Sequence, residues 1–317
     1  MVISEFGKRC LTALILIAGF SVVLVARAFA GIFGVYLFDA LIIVASAIGT
    51  WEICSACKLN RRGSNAVVAI IVEVLIYFFF ILGSEFMREP LPWWLQLIVS
   101  FVIIAVFVLF IGLSNMIDKK MAKECALQKK NLNKEAWGGV LDLLYMIFYP
   151  GAFFACAVIL NHMTTDSVGL FGILLIVFIS CLTDILAYCV GRVLGKGSPK
   201  MAPKVSPKKT WVGFFGGLFG GILGSLIVVW IISGNQALSD RLFAVTKDAN
   251  ITQLVFVAVG LAGAVFTTIG DLLASFIKRK VGIKDFGHLL PGHGGVMDRV
   301  DGIILNVPFI LLIMGII

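Results

Sequence analysis

The sequence predicts an all-α integral membrane protein with about nine transmembrane helices, its N-terminus cytoplasmic and its C-terminus outside. Three observations lead there. Of the 317 residues, 60% are hydrophobic and only 14% charged, with a mean hydropathy of +1.04; soluble domains carry about 25% charged residues. The apolar residues form continuous runs near the ~20 residues that a bilayer-crossing helix needs, not the alternation of a transmembrane barrel. And 22 of the 26 Lys and Arg fall in every second non-membrane segment, as in loops retained on the cytoplasmic side. Disordered and disulfide-stapled classes are excluded as well, because apolar content is high and the seven cysteines are an odd number.

The nine windows lie near 10–26, 33–53, 66–83, 93–113, 140–160, 168–190, 211–233, 253–273 and 302–317. The first follows Lys8-Arg9 and reads as an uncleaved span instead of a signal peptide. The second ends in Trp51-Glu52 and a Cys54/Cys57 pair, read as buried or interfacial thiols on the reducing side of the membrane. Between the fourth and fifth windows, 114–139 carries six lysines among Asp118, Glu124 and Glu135, a solvated helical connector attracted to an anionic leaflet. This connector closes an N-terminal membrane region, 1–139, and 140–317 forms the region that carries the chemistry. In the seventh window Gly213, Gly217 and Gly221 form one GxxxG series, and Gly216, Gly220 and Gly224 a second. Such stripes allow close helix approach, within the subunit or across a dimer.

The short outward loops 84–92 and 161–167 offer little to bind a ligand, whereas the inward loops 191–210 and 274–301 are basic and unusual. In GKGSPKMAPKVSPKKT, residues 195–210, Pro199, Pro203 and Pro207 are each followed by lysine. Proline at that density forbids a helix, so Lys200, Lys204, Lys208 and Lys209 should project from a stiff extended arm, suited to phosphate groups. Acids inside spans are costly and face partners or wet cavities. Asp184 and Asp271 lie near the inner ends of the sixth and eighth windows, and Asp298 and Asp301 begin the ninth on one helical face, so four carboxylates converge on one cytoplasmic-side layer. Asp39, Glu52, Glu73 and Asp142 lack such basic or glycine-rich surroundings and read as interhelical hydrogen-bonding partners.

Asp271, Ser275, Lys278 and Arg279 share one face of a helix leaving the membrane. Lys284-Asp285 follows, then PGHGGVMDRVD, in which Gly292, Gly294 and Gly295 flank His293 before a helix start. Backbone N–H groups there can curl around an anion. Oxygen ligands for a hard divalent cation, several Lys and Arg, and a glycine nest together point to phosphoryl or nucleotidyl transfer.

Ser275 to Asp301, SFIKRKVGIKDFGHLLPGHGGVMDRVD, is similar to the signature of phosphatidate cytidylyltransferases, or CDP-diacylglycerol synthases. The resemblance extends to Asp184-Ile-Leu-Ala-Tyr188, Gly191-Arg192 and Ser206-Pro-Lys-Lys-Thr-Trp211, and weakly to Lys8-Arg9 and Trp51-Glu52. Leu186 and Val212 depart from it, standing where the family has a small and an acidic residue. The resemblance implies a nucleotidyltransferase of phospholipid biosynthesis that converts CTP and phosphatidate to CDP-diacylglycerol and pyrophosphate. It further implies Mg²⁺ with a second cation that can be K⁺, a homodimer, and a multi-pass protein of a bacterial inner membrane with its site facing the cytoplasm.

Carried onto this chain, the implied catalytic set is Asp271, Asp298, Lys278, Arg279, Lys284 and Arg299. Asp271 and Asp298 would take metal, with Asp184 and Asp301 supporting. Ser206, Lys208, Lys209, Tyr188, Ser275, Asp285, His293, Gly294 and Gly295 would contact substrate. No nucleic-acid partner is expected. Two other readings compete: a CTP-dependent polyprenol or phytol kinase, which would release CDP, and a cation transporter, which would place its acids near the midplane.

Overall fold

The computed structural model describes residues 5–56, 64–86, 147–163, 166–234, 248–290 and 294–316. In chain order it contains α1 (Glu5–Phe29), α2 (Ile32–Ala56), α3 (Ser64–Phe86), a π-type turn (Ile147–Ala152), α4 (Phe153–Asn161) and α5 (Asp166–Val193). There follow β1 (Lys200–Ala202), β2 (Ser206–Thr210), α6 (Trp211–Ser233), α7 (Ala249–Val281), α8 (Met297–Ile304) and α9 (Asn306–Ile316).

Among the described residues, five helical segments are long and apolar enough to cross a membrane: Thr12–Phe29, Ile32–Ala56, Val168–Val193, Trp211–Ser233 and Asn250–Arg279. They coincide with the first, second, sixth, seventh and eighth expected windows. Shorter apolar helices, Ala69–Ile81, Tyr149–Asn161 and Asn306–Gly315, fall in the third, fifth and ninth. The fourth window, the 114–139 connector, Asp142 and Cys57 lie outside the described residues. The chain is a multi-pass, mostly helical membrane protein, and its surface agrees: Phe219 and Trp230 on α6 are 63% and 76% exposed, while Ser225 on the same helix is fully buried.

The Pro-Lys arm departs from the expected single extended rod. β1 and β2 pair antiparallel, Lys200 opposite Thr210 and Ala202 opposite Ser206. The turn is closed by the Val205 N–H donating to Ala202 O (3.2 Å), with Pro203 and Lys204 at its tip. Proline blocks the helix as expected, but strand pairing satisfies backbone groups that a lone arm would leave to water.

The inner helices pack through glycine. Both stripes of α6 are used inside the subunit: a Cβ on Gly224 would lie 2.6 Å from Phe178 O of α5, one on Gly220 would run into Leu182 O, and one on Gly221 would lie 2.5 Å from Gly260 O of α7. That close approach makes α5, α6 and α7 one layered unit. Capping sets its ends. Thr210 Oγ1 accepts from Gly213 N (3.1 Å) at the start of α6, and Asp248 Oδ1 accepts from Asn250 N (2.7 Å) at the start of α7. At the end of α7, Gly282 takes φ 80°. Gly282 N donates to Arg279 O and Ile283 N to Lys278 O, at 3.1 and 2.9 Å, which turns the chain back toward the bundle.

The N-terminal helices are joined by buried polar groups. Arg27 Nε donates to Asn161 Oδ1 (2.6 Å), Asn161 Nδ2 donates to Asp39 Oδ1 (2.8 Å), and His162 Nε2 lies 2.6 Å from Asp39 Oδ2. Glu73 accepts from Ser46 (2.6 Å) and Thr50 (2.7 Å). Asp39 and Glu73 are thus interhelical partners.

Gly220→Ala is expected to destabilise the protein by about 1–3 kcal/mol, because the new methyl meets backbone that cannot swing aside. Thermal unfolding in detergent measures this, with the surface change Phe219→Ala as the reference. An unchanged Tm for Gly220→Ala would contradict the close packing of α5 on α6.

Candidate active site

A cavity of about 380 Å³ opens where α5, the hairpin, α6 and α7 meet. Its charged lining comes from Asp184 and Arg192 on α5, Lys208 and Lys209 on β2, and Asp271 on α7; Tyr188, Met201 and Phe214 add apolar surface. Helical spacing accounts for the α5 side, since Asp184, Tyr188 and Arg192 are four residues apart. The Arg192 guanidinium donates to the Tyr188 hydroxyl (3.0 Å) and lies 5.9 Å from its ring centroid. Across the cavity Lys209 Nζ lies 2.5 Å from Asp271 Oδ2, and Ser275 Oγ reaches Asp271 Oδ1 at 3.5 Å. The hairpin thus brings alternating ammonium and carboxylate groups beside an apolar wall.

A second charged cluster adjoins the first. Lys278, buried, donates to Asp298 Oδ1 (2.9 Å) and Asp301 Oδ2 (3.2 Å), and its Nζ lies 5.1 Å from the Phe286 ring centroid. The other Asp298 oxygen accepts from the backbone N–H groups of Phe286 (2.9 Å), Gly295 (3.0 Å) and Gly287 (3.4 Å). Asp298 therefore carries four donors and binds Phe286, Gly287 and Gly295 to the start of α8. The Gly295 N–H, expected to cradle a substrate anion, is given to this carboxylate, and Gly294, at φ +84°, forms the turn that delivers it.

The clusters communicate electrostatically. Burial, and after it the negative charge of Asp271, push Asp301 up to about 7 against the pull of Lys278. Asp184 comes within 3.5 Å of the position a Cβ on Gly302 would take, which carries α5 against α8. Among the described residues, no three His, Cys, Asp or Glu side chains stand close enough to hold a metal ion by themselves. The four aspartates do share one end of the bundle, but Asp184 and Asp271 face the cavity while Asp298 and Asp301 share Lys278.

Other expected residues are spread more widely. Arg279 is exposed and donates to Val205 O (3.4 Å) and Ile283 O (3.3 Å), joining the end of α7 to the hairpin turn. Lys284 and Arg299 are exposed, and with Ser206 and Asp285 they stand outside the cavity lining. His293 lies outside the described residues. Sequence reasoning did not single out Thr210 or Thr268, which line the cavity. Thr210 carries the signal of a helix N-cap; Thr268 carries none.

Comparison with known proteins identifies the family. The family model described as "Cytidylyltransferase family" matches residues 7–317. A phosphatidate cytidylyltransferase of Haemophilus influenzae is 29% identical over 294 residues, covering 79% of this chain and 96% of that protein. One of Staphylococcus haemolyticus is 39% identical over 150 residues, 47% of this chain and 51% of that protein. One of Mycobacterium bovis is 56% identical over 46 residues, covering 14% of this chain and 15% of that protein. With the family's pattern running over nearly its whole length, this chain belongs to the cytidylyltransferase family.

Proposed function

We propose that the protein is a phosphatidate cytidylyltransferase that forms CDP-diacylglycerol and pyrophosphate from CTP and phosphatidate. The observation that carries this reading is the cavity itself, where Lys208, Lys209 and Arg192 stand beside two carboxylates and an apolar wall. A lipid phosphate needs both surfaces, apolar for its chains and cationic for its headgroup. In the reaction a phosphatidate oxygen attacks the CTP α-phosphorus, a new P–O bond forms, and the bond to the β-phosphate breaks with the electron pair leaving on pyrophosphate. The nucleophile is already an anion, so no general base is required. The obstacle is repulsion between two phosphates, and the residues needed are those that lower it.

Asp184 and Asp271, on separate helices of one rigid unit, suit Mg²⁺, which takes one or two protein carboxylates and fills its remaining positions with water and substrate phosphates. Bound there, the ion would neutralise developing phosphate charge, and a second cation such as K⁺ would relieve Asp301. Asp298, with four donors already, serves better as the anchor of Lys278 and the loop than as an open ligand. Lys208 and Lys209 hold the triphosphate, Lys209 exchanging its Asp271 partner for phosphate. Arg192 orients Tyr188 at the headgroup end. Lys284, Arg299 and His293 remain candidates for contact with the cytosolic part of CTP.

The proposed topology has nine spans, with the N-terminus and the active site in the cytoplasm and the C-terminus outside. It is supported by the bias of basic residues and by Arg279 joining the two basic loops at one end of the bundle. The protein is placed in a bacterial inner membrane, as a homodimer whose contact surface is other than the glycine stripes of α6.

Purified protein given CTP, phosphatidate and Mg²⁺ is expected to release pyrophosphate; release of CDP instead would identify a lipid kinase. Asp271→Asn should reduce turnover by a hundredfold or more in a protein that still unfolds cooperatively, an effect of the order expected on losing one transition-state electrostatic partner, about 10²–10³-fold. Wild-type rates in that variant would remove Asp271 from the metal site. Lys208→Ala is expected to raise the apparent KM for CTP or phosphatidate about tenfold, as for loss of a charged hydrogen bond. Unchanged constants for both substrates would leave Lys208 only the role of attracting anionic lipid.

A further inference from the structure

We propose that Glu52, at the end of α2, is a positioning residue for this reaction. It holds the start of α8 and through it the Lys278, Asp298 and Asp301 cluster. The inference rests on the cytidylyltransferase reading above.

The first turn of a helix leaves backbone N–H groups without intrahelical partners. α8 is eight residues long, and its N-cap residue, Val296, offers no side-chain cap. Its end is buried, so those donors need an acceptor. Glu52, 244 and 245 residues away in sequence, supplies both oxygens: Val296 N donates to Oε1 at 3.0 Å and Met297 N to Oε2 at 2.9 Å. A carboxylate at this position also interacts favourably with the helix dipole.

The fit around Glu52 is tight. The residue is 6% exposed, and its neighbours Ile53 and Cys54 are fully buried. A Cβ on Gly287 or on Gly295 would collide with the Glu52 carboxylate. Two glycines of the signature loop thus leave room for a side chain of the N-terminal region. Gly287 and Gly295 stand between two carboxylates of this chain, Glu52 and Asp298.

Met297 is followed directly by Asp298, and Gly295 N already donates to Asp298. The two carboxylates therefore fix three consecutive N–H groups, those of Gly295, Val296 and Met297. Releasing Glu52 would free the beginning of α8 and let Asp298 and Asp301 shift against Lys278. The cavity's Lys208, Lys209 and Arg192, which hold substrate in this reading, stand on β2 and α5 and not on α8. Substrate binding should therefore suffer less than turnover.

In Glu52→Gln the side chain keeps its size, but one terminal atom becomes a donor facing a donor. The expected result is a kcat lower by about tenfold to a hundredfold, the scale of a small misplacement of reacting groups, with KM for CTP and phosphatidate within about twofold. Glu52→Asp, which keeps both acceptor oxygens on a shorter stem, should recover part of the lost kcat. Amide hydrogen exchange, which needs no turnover, should quicken over 294–298 in Glu52→Gln and stay unchanged over 211–225. Unchanged kcat, a loss carried mainly by KM, or unaltered exchange over 294–298 would each overturn the proposal. Wild-type protein that made no pyrophosphate would instead overturn the proposed reaction and leave the exchange result standing.

Discussion

A buried ammonium shared by two carboxylates, Lys278 between Asp298 and Asp301, is the constraint around which this end of the bundle is built. Charges withdrawn from water must be paired and their remaining lone pairs satisfied, since removing one partner of a buried pair costs about 3–5 kcal/mol. The chain meets that requirement with backbone. Phe286, Gly287 and Gly295 donate to the Asp298 oxygen that Lys278 does not use. To deliver those N–H groups the chain turns at Gly282, and Phe286, Gly287 and Gly295 are brought to the start of α8. The placement of these residues is thus an electrostatic solution as much as a connection.

The cavity is held by a different force. At the glycine stripes α5, α6 and α7 approach so closely that contact there is backbone against backbone. Because α6 cannot drift from α5, Thr210 and the hairpin ahead of it have a fixed seat, and Lys208 and Lys209 line the cavity with Asp184 and Asp271. Dispersion and close packing, individually weak, here position charges whose interactions are strong. The two systems meet through α7, which carries Asp271 and Lys278 two turns apart on one face.

Much of the fold was legible from hydropathy and glycine spacing. Five apolar windows correspond to crossing-length helices, and Asp39 and Glu73 are the interhelical partners their isolation implied. The hairpin was half legible: proline excludes a helix, but whether an extended segment pairs with itself depends on turn closure at Pro203 and Lys204. The site divides in the same way. Asp184, Asp271 and Lys209 come together as helical and loop positions suggested. The glycine-rich stretch also marked a nest of N–H groups, and among its described residues Gly295, Val296 and Met297 donate to the chain's own Asp298 and Glu52.

Local rules on a linear chain therefore determined the class, the apolar windows, the charge asymmetry and the residue types suited to phosphate chemistry, because each depends on composition or on spacings of a few residues. Tertiary structure alone decided which carboxylate meets which donor. Glu52 reaches Val296 and Met297 across more than 240 positions, and no periodicity or motif encodes a contact of that span. Asp298 reads in the sequence as a metal ligand, and folding surrounds it with four donors, because how many of a carboxylate's lone pairs are engaged depends on every group that folding brings to it. Sequence named the charged groups; packing determined which of them remain available to a substrate.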